Sequence, residues 1–580
     1  MPIDFGRRTD RERLHKAIKT SREAIIPFRD VRMEIEREYV GSWYSKKGAR
    51  LPTIVNKLNQ TATIYSTALA FDNPTYRVTT FDTSLWPFAR KFQVNINRLV
   101  KNIDLKTTLF AAVMDAFFLI GVCKVRMADA GFVETEDNVW VDPGKPWVDR
   151  VSIDDLIVDM TAKDIRAMRF MGDRYRVSLE RVKKRDDFET KVARQLTATS
   201  KHNIDADSYY AQQIGSGDAV DDDELEPMIW LEDVYIPETQ EVVTWCPTQE
   251  SLGPLKVLDW DGHPQGPYKY LSLGLVPDNI MPTTPAQVLK ALHDLSNRLY
   301  RKISGQAQRQ KNIVAYAPGA EDDADLARKA VDGGYYKFRD PKTLTPLNFP
   351  GVDGNTHAFF IAAQEVYNVQ AGNERVIGGL GQTASTLGQE EIIQGQAGQL
   401  IYKMKGAVNN FAAEIGREIG GLMYNDEYLE INSSMEAENT GVYVDSSWRP
   451  GERKGILDYY DFCVEPNSMA YKSNETTFQK IVQYVQLVGT VFPLVQAGVL
   501  DVQELTKLAS ELQNIPDLVR IFKFMNPEAM KADQHAATKP PVTSRETVRN
   551  NVSQGPQGQG MQQVMGQMMQ GQNAGITVGA

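Results

Sequence analysis

The chain has 580 residues, 42% of them hydrophobic and 24% charged, a globular composition with length for roughly two to four domains, each with its own core. Lys and Arg number 65 against 75 Asp and Glu, a net charge of −10. That excludes a protein gripping nucleic acid through an overall basic excess, because phosphate neutralisation supplies most of such affinity; either DNA is no partner, or it is one that must pass without sticking.

In chain order, residues 1–13 are polar and charged with no apolar stretch, unlike a secretory signal, which places synthesis in a cytoplasm. Within residues 10–47 a charged helix with an apolar stripe runs into a loop containing Gly41, Trp43 and Tyr44. A helix over 51–69 stops at Asp72-Asn73-Pro74, where the residue before proline disfavours α and Asn and Asp favour a turn. A strand over 75–81 follows, then one long helical pattern over 88–119 ending at Gly121. Its most apolar part, 107–122, is interrupted by Asp115 and reads as a buried core helix; no run approaches the about 18–20 apolar residues that span a bilayer.

Residues 122–245 look β-rich, with strands predicted over 122–127, 147–153, 171–177 and 229–236 between Gly, Pro and Asp clusters. The acidic stretch 205–226 reads as an exposed loop. After a turn-rich 277–285, Val288, Leu292, Leu295, Leu299 and Ile303 recur at helical spacing and form one apolar stripe. The other faces carry Lys290, Arg298, Arg301, Lys302, Arg309 and, at the end, Lys311, against only Asp294. The pattern extends to Lys311, roughly 27 residues or about 40 Å.

A short insert comes next, predicted as a strand over 312–317, a helix over 322–331, a turn at Gly333-Gly334 and residues 335–338 beyond it, before a Pro/Gly-rich tract at 341–354. Helical patterning resumes over 356–373, breaks at the glycine-rich 378–383, and returns from 389 to about 424 with Ile392, Ile393, Leu400, Ile401, Met404, Val408, Phe411 and Ile415 as its apolar set. A β-rich return occupies 427–466, and helix is expected over 475–524 with interruptions at Pro493 and Pro516. From about 532 the chain is Gln-, Gly- and Met-rich without aromatics, a composition expected to stay disordered outside an assembly.

Catalytic signatures do not surface. The six histidines are scattered, and neither HExxH, GxxxxGK[ST] nor GxSxG occurs. Cys123, Cys246 and Cys463 stand far apart and read as small buried hydrophobes rather than zinc ligands or a disulfide framework. No cofactor is expected.

The order of elements resembles the portal proteins of tailed bacteriophages, most closely those of short-tailed phages. Four segments carry the likeness: Asn56-Lys57-Leu58-Asn59 through Leu69-Ala70-Phe71-Asp72-Asn73-Pro74; residues 148–159 with Asp164-Ile165-Arg166-Ala167-Met168-Arg169; the helix and insert beginning at Pro285; and residues 379–389, which open the second long helix. In the last of these Thr383-Ala384-Ser385-Thr386 departs from the family's pattern at its final position.

The resemblance implies an α+β portal fold. Residues 1–283 and 389–472 would form a β-rich and helical wing that includes the long wing helix. Residues 284–311 and 356–374 would form a two-helix stem flanking a small α/β clip at 312–355. A tunnel loop at 375–388 would include Gly378, Gly379, Gly381, Gln382, Thr383, Ser385 and Thr386, whose glycines and uncharged side chains suit a mobile element near DNA. A helical crown at 473–531 and a disordered tail at 532–580 would complete the chain. The clip, with Tyr316, Tyr335, Tyr336 and Lys337, would contact the packaging motor and then the tail. The chain would be a structural subunit of a ring, usually of twelve copies, at one vertex of the virion capsid, assembled in the host cytoplasm. Its partners would be the double-stranded DNA genome, the large terminase subunit, scaffolding protein, major capsid protein and a head–tail adaptor, with no membrane. The basic face of the first stem helix admits two readings, pairing with acidic groups of the next subunit or contact with phosphates. Two competitors remain: another head–tail connector component, or a soluble α+β enzyme using Asp154, Asp155 and Asp159 as acid/base groups. Mass in solution separates them.

Overall fold

The computed structural model describes residues 5, 7–41, 55–70, 72–129, 133–134, 140–141, 144–198, 226–349, 351–372, 387–436, 443–449, 452–465, 468–469 and a few positions between 481 and 486. All lie in one compact unit, Met1–Leu518. The predicted acidic loop (but for Glu226), the tunnel loop (but for Leu387 and Gly388, which open a helix instead), nearly all of the crown and the whole low-complexity tail fall outside the described residues. The chain is mixed α+β, with its strands divided among several small sheets rather than organised by one.

Helix α1 (Arg8–Val40) ends at Gly41, whose φ of 74° suits a residue without a Cβ. Its inward face mixes Leu14, Ile18, Ile25 and Ile35 with Arg22, Arg29 and Arg32, all buried. Helix α2 (Lys57–Leu69) is N-capped by Asn56, which accepts from Asn59 N. Strand β1 (Tyr76–Thr80) pairs with β16 (Tyr460–Val464), near the far end of the described chain. The single helix predicted over 88–119 is two: α3 (Trp86–Asn102) and α4 (Leu105–Phe118). Asp104 sits between them at φ 49°, in the left-handed region, and its carboxylate accepts from Thr107 Oγ1 at 2.5 Å. Gly121 does not cap a helix but opens a strand, where a Cβ would collide with the Ala112 carbonyl of α4.

Strands β2 (Gly121–Ala128) and β5 (Lys145–Val151), with the short β3 (Val133–Glu134) and β4 (Trp140–Val141) between them, lead to a five-strand meander. The meander is β6 (Leu156–Val158), β7 (Met171–Ser178), β8 (Met228–Ile236), β9 (Glu241–Trp245) and β10 (Lys256–Asp259), in spatial order β10-β9-β8-β7-β6. Helices α5 (Leu179–Lys184) and α6 (Thr190–Gln195) follow β7. Strand β11 (Tyr268–Leu271) joins β2 and β5 in a separate sheet, ordered β11-β2-β5.

Helix α7 (Pro285–Arg309) starts at a capping box in which Thr284 and Gln287 exchange side-chain and backbone hydrogen bonds. The insert follows: β12 (Lys311–Tyr316), α8 (Glu321–Lys329) and β13 (Leu344–Phe349), with the two strands antiparallel. Residues 335–338 form no strand. Gly333 turns the chain at φ 78°, and the buried Asp323 carboxylate accepts from Arg339 N and Asp340 N, holding this stretch as a loop. The second strand comes instead from the proline- and glycine-rich tract. Helix α9 (Gly354–Gln370) returns beside α7, and α10 (Leu387–Asn425) leads into β14 (Ser434–Glu436), β15 (Tyr443–Asp445) and β16.

The largest core lies where α2, α3, α4 and the second half of α10 meet the β1–β16 ribbon. Phe92 packs against Trp448 at 4.7 Å and Phe462 at 5.2 Å between ring centroids. Val408, Phe411, Ile415 and Ile419 supply the α10 face, and Tyr76 Oη donates to the Ala412 carbonyl at 2.7 Å. No helix among the described residues is long and apolar enough to cross a membrane.

Candidate functional site

The α7–α9 pair is bolted to the rest of the chain at one end. Asn297 bridges the Val55 backbone on both sides, accepting from its N–H at 3.0 Å and donating to its carbonyl at 3.2 Å. Tyr367 and Thr61 hydroxyls, both sealed from solvent, share a hydrogen bond at 3.0 Å. Lys57 Nζ donates to Asn368 Oδ1 at 3.2 Å, and Tyr65 Oη to the Ala371 carbonyl at 2.7 Å. Buried polar groups are satisfied in this way because leaving them unpaired is expensive.

These polar anchors rotate α7 away from the sequence expectation. Its buried positions are Ala286, Leu289, His293, Ser296 and Asn297. The predicted apolar stripe is displaced: Val288 is 48% exposed, and Leu292, Leu295, Leu299 and Ile303 are only half-buried. On α9, Phe359, Ile361, Val366 and Val369 are exposed, and only Ala363 and Tyr367 are buried. Tyr300 and Phe360 touch across the pair with ring centroids 5.8 Å apart.

The basic residues of α7 divide. Lys290 does not reach outward for an acid. Its Nζ lies 2.8 Å from Asp294 and 3.1 Å from Glu34 of α1, so this lysine has acidic partners within its own chain. Partial burial works to lower its pKa, but the two carboxylates outweigh that and raise it. Arg298 Nε approaches the Asp294 carbonyl at 3.4 Å. Arg301 is half-buried, whereas Lys302, Arg309 and Lys311 are exposed; the helix ends at Arg309, short of the predicted Lys311, which opens β12. Lys302 adds a minor attraction to Asp353, the N-cap of α9, whose carboxyl is held below its usual range mainly by hydrogen bonds from Thr356.

The insert is barely covered. Among its described residues only Ala320 and Asp323 are buried. Tyr316 is 51% exposed and Tyr335 wholly exposed. Tyr336 Oη accepts from Val331 N at 3.0 Å, and Lys337 lies open beside it. The tunnel-loop candidates Gly378, Gly379, Gly381, Gln382, Thr383, Ser385 and Thr386 lie outside the described residues.

Of the carboxylates of the enzyme alternative, Asp159 and Asp154 are engaged with cations of the chain, and Asp155 lines the same cleft as Lys124. Asp159 accepts from Arg169 Nε and Thr161 Oγ1, each at 2.6 Å; burial works to raise its pKa, and these bonds hold it below its usual range. Asp154 lies 3.8 Å from Arg29, whose guanidinium also donates to the Ile153 and Asp154 carbonyls. Burial, with Asp154 beside it, pushes Asp155 up to about 6.

This cleft, of about 920 Å³ between the three-stranded and five-stranded sheets, holds a cluster that sequence reasoning missed. Lys124 Nζ bridges Asp173 at 2.7 Å and Asp233 at 2.6 Å. Tyr268 Oη donates to Asp173 at 2.5 Å, and Thr244 Oγ1 to Asp233 at 2.6 Å. Burial works to lower the Lys124 pKa, yet the two carboxylates raise it well above the usual lysine value. An ammonium so paired is no nucleophile or base at neutral pH. The available signal was a lysine inside the apolar strand Val122-Cys123-Lys124-Val125. No group of three or more His, Cys, Asp or Glu among the described residues is placed to hold a metal.

No family model matches the chain, and no curated protein matches it.

Proposed function

We propose that the chain is a portal subunit of a tailed bacteriophage, one copy of a ring at a single capsid vertex that serves as the channel for genome packaging and ejection. The observation that carries this reading is the α7–α9 pair: anchored at its root by polar bonds, it holds out two helices whose apolar faces the chain itself leaves uncovered. Val288 on α7 and Phe359, Ile361, Val366 and Val369 on α9 are exposed and need partners. Lateral copies in a closed ring supply such partners for every subunit at once. The insert at the tip, with uncovered strands, is then the clip, which docks the large terminase subunit and afterwards a head–tail adaptor.

The net charge of −10 suits a conduit, since DNA gripped by many lysines would exchange counterions at each step of sliding. On this reading the exposed Lys302, Arg309 and Lys311 serve between subunits or toward the phosphates. The wing, built from α1 to β11 with α10 and the β14–β16 return, meets scaffolding and major capsid proteins. The chain is a virion component and no enzyme.

Light scattering with negative-stain microscopy tests the reading. Rings with a central hole, near twelve times 65.1 kDa, are the expected result. A compact monomer at every concentration, with scaffolding protein present as well as absent, would overturn it.

A further inference from the structure

The two strands of the insert do not offer equal edges. Ala317 N donates to the Thr343 carbonyl at 3.2 Å, and this pair continues the register Tyr316↔Leu344. Bonded and non-bonded pairs alternate along an antiparallel ladder, so Ala315↔Thr345 and Ile313↔Leu347 are bonded pairs. Val314↔Pro346 is a non-bonded pair, and both residues turn their backbone groups outward. Proline has no N–H. The outer edge of β13 therefore lacks its central donor, a feature that protects edges against further pairing. The outer edge of β12 is whole, with Asn312, Val314 and Tyr316 each presenting N–H and C=O. All three residues are exposed, and a two-stranded ribbon is marginal alone in water.

Charge gives this edge a direction. Arg309 and Lys311 stand exposed at the start of β12, and Glu321 and Asp322 stand exposed beyond its end, in the first turn of α8. A strand added antiparallel meets the cations with its carboxyl-terminal end.

We propose that the outer edge of β12 is a strand-addition site for an extended segment of another protein, alternating apolar in pattern and acidic toward its carboxyl-terminal end. This names the binding mode of the insert and rests on the reading of the insert as a docking element. A second copy is the poorer occupant. Its β13 edge is blunted at Pro346, and pairing of β12 with β12 is two-fold, which ends at two chains instead of closing a larger ring. Backbone hydrogen bonds supply the affinity of such a contact, and the alternate side chains and end charges its selectivity.

The test uses the full chain and a fluorescein-labelled synthetic peptide of alternating valine and threonine with two glutamates at its carboxyl-terminal end. Fluorescence anisotropy reads binding, and hydrogen exchange reads the amides of residues 312, 314 and 316. Binding that slows exchange at these amides is expected. Val314→Pro, which removes one outward N–H and leaves the inner ladder intact, weakens binding by about tenfold, the worth of one backbone hydrogen bond. Val314→Thr, which keeps the N–H, binds like the parent chain, and a lysine-ended peptide binds more weakly. Equal binding by the proline and threonine variants overturns the proposal, as does absence of binding to the parent chain. So does protection of the three amides before peptide is added, which means that a second copy already occupies the edge. Mass measured on the same samples separates the two readings: rings that bind no peptide end the edge proposal alone, whereas peptide binding by a chain that never forms rings ends the portal reading alone.

Discussion

Lys269 and Glu418 form an ion pair of 2.9 Å with both side chains sealed from solvent. Lys269 lies on β11 and Glu418 on α10, so the pair ties the long helix to the three-stranded sheet. Each partner has a second bond: Glu418 Oε1 accepts from His263 N, and Lys269 Nζ donates to the Gly266 carbonyl, both at 2.8 Å. Removing one partner strands a buried charge, which typically destabilises by about 3–5 kcal/mol. Glu418→Ala is expected to lower stability by that order in urea unfolding. The double variant Glu418→Leu with Lys269→Met is expected to recover much of the loss, because no unpaired charge remains. Equal losses in the single and double variants would contradict this account.

Lys124 makes the same argument with one cation between two carboxylates. Lys124→Met leaves Asp173 and Asp233 facing each other without a counter-charge. A loss of about 3–5 kcal/mol is expected at neutral pH. It shrinks as the pH falls and the stranded carboxyls take up protons. Stability measured against pH checks this; a loss that stays constant down to the acid limit would mean that packing, and not charge, is what Lys124 supplies.

His293 sets a third expectation. It is buried on α7 with Asn297 Nδ2 at 3.2 Å and Glu38 at 4.0 Å from Nε2, and burial pushes its pKa down to about 4. Between pH 6.5 and about 4 the unfolded chain binds this proton and the folded chain does not. Stability therefore falls as pH falls through this window and is unaffected by His293 above it. The full effect is on the order of 3 kcal/mol. His293→Gln should flatten this part of the profile, read from thermal melts at a series of pH values, with the root of the α7–α9 pair as the element loosened.

Val288 separates assembly from folding. It is 48% exposed on α7. Val288→Glu is expected to change monomer stability by less than about 1–2 kcal/mol, while abolishing rings. Ala363→Glu, at a buried position of α9, should instead lower stability itself. Ring content by light scattering and melting temperature, measured together, distinguish the two; rings that survive Val288→Glu would remove this position from the interface.

Much of the architecture is local chemistry. Pro285 marks the start of α7, and the alternating runs of β7 and β8 stand where their composition puts them, because helix-start chemistry and burial periodicity act within a few residues; α2, expected from residue 51, starts only after its cap Asn56. The break at Asp104 was not legible. A single residue in the left-handed region redirects a helical pattern that otherwise reads as continuous. Nor was β13, since Pro346 argues against a strand until its position on an outer edge is known.

The sequence by itself determined that a long helix precedes the insert, that another follows it, and that this chain carries a net negative charge. Only the tertiary structure decided which face of α7 is buried. Apolar periodicity points to Val288, Leu295 and Leu299, but Asn297 meets the Val55 backbone, and His293 and Ser296 turn inward with it. Lys290 likewise finds Glu34, an acid in a distant segment. Periodicity reports how apolar a face is, whereas hydrogen bonds between remote segments decide what that face meets. The leftover apolar face is therefore visible only once the fold is known.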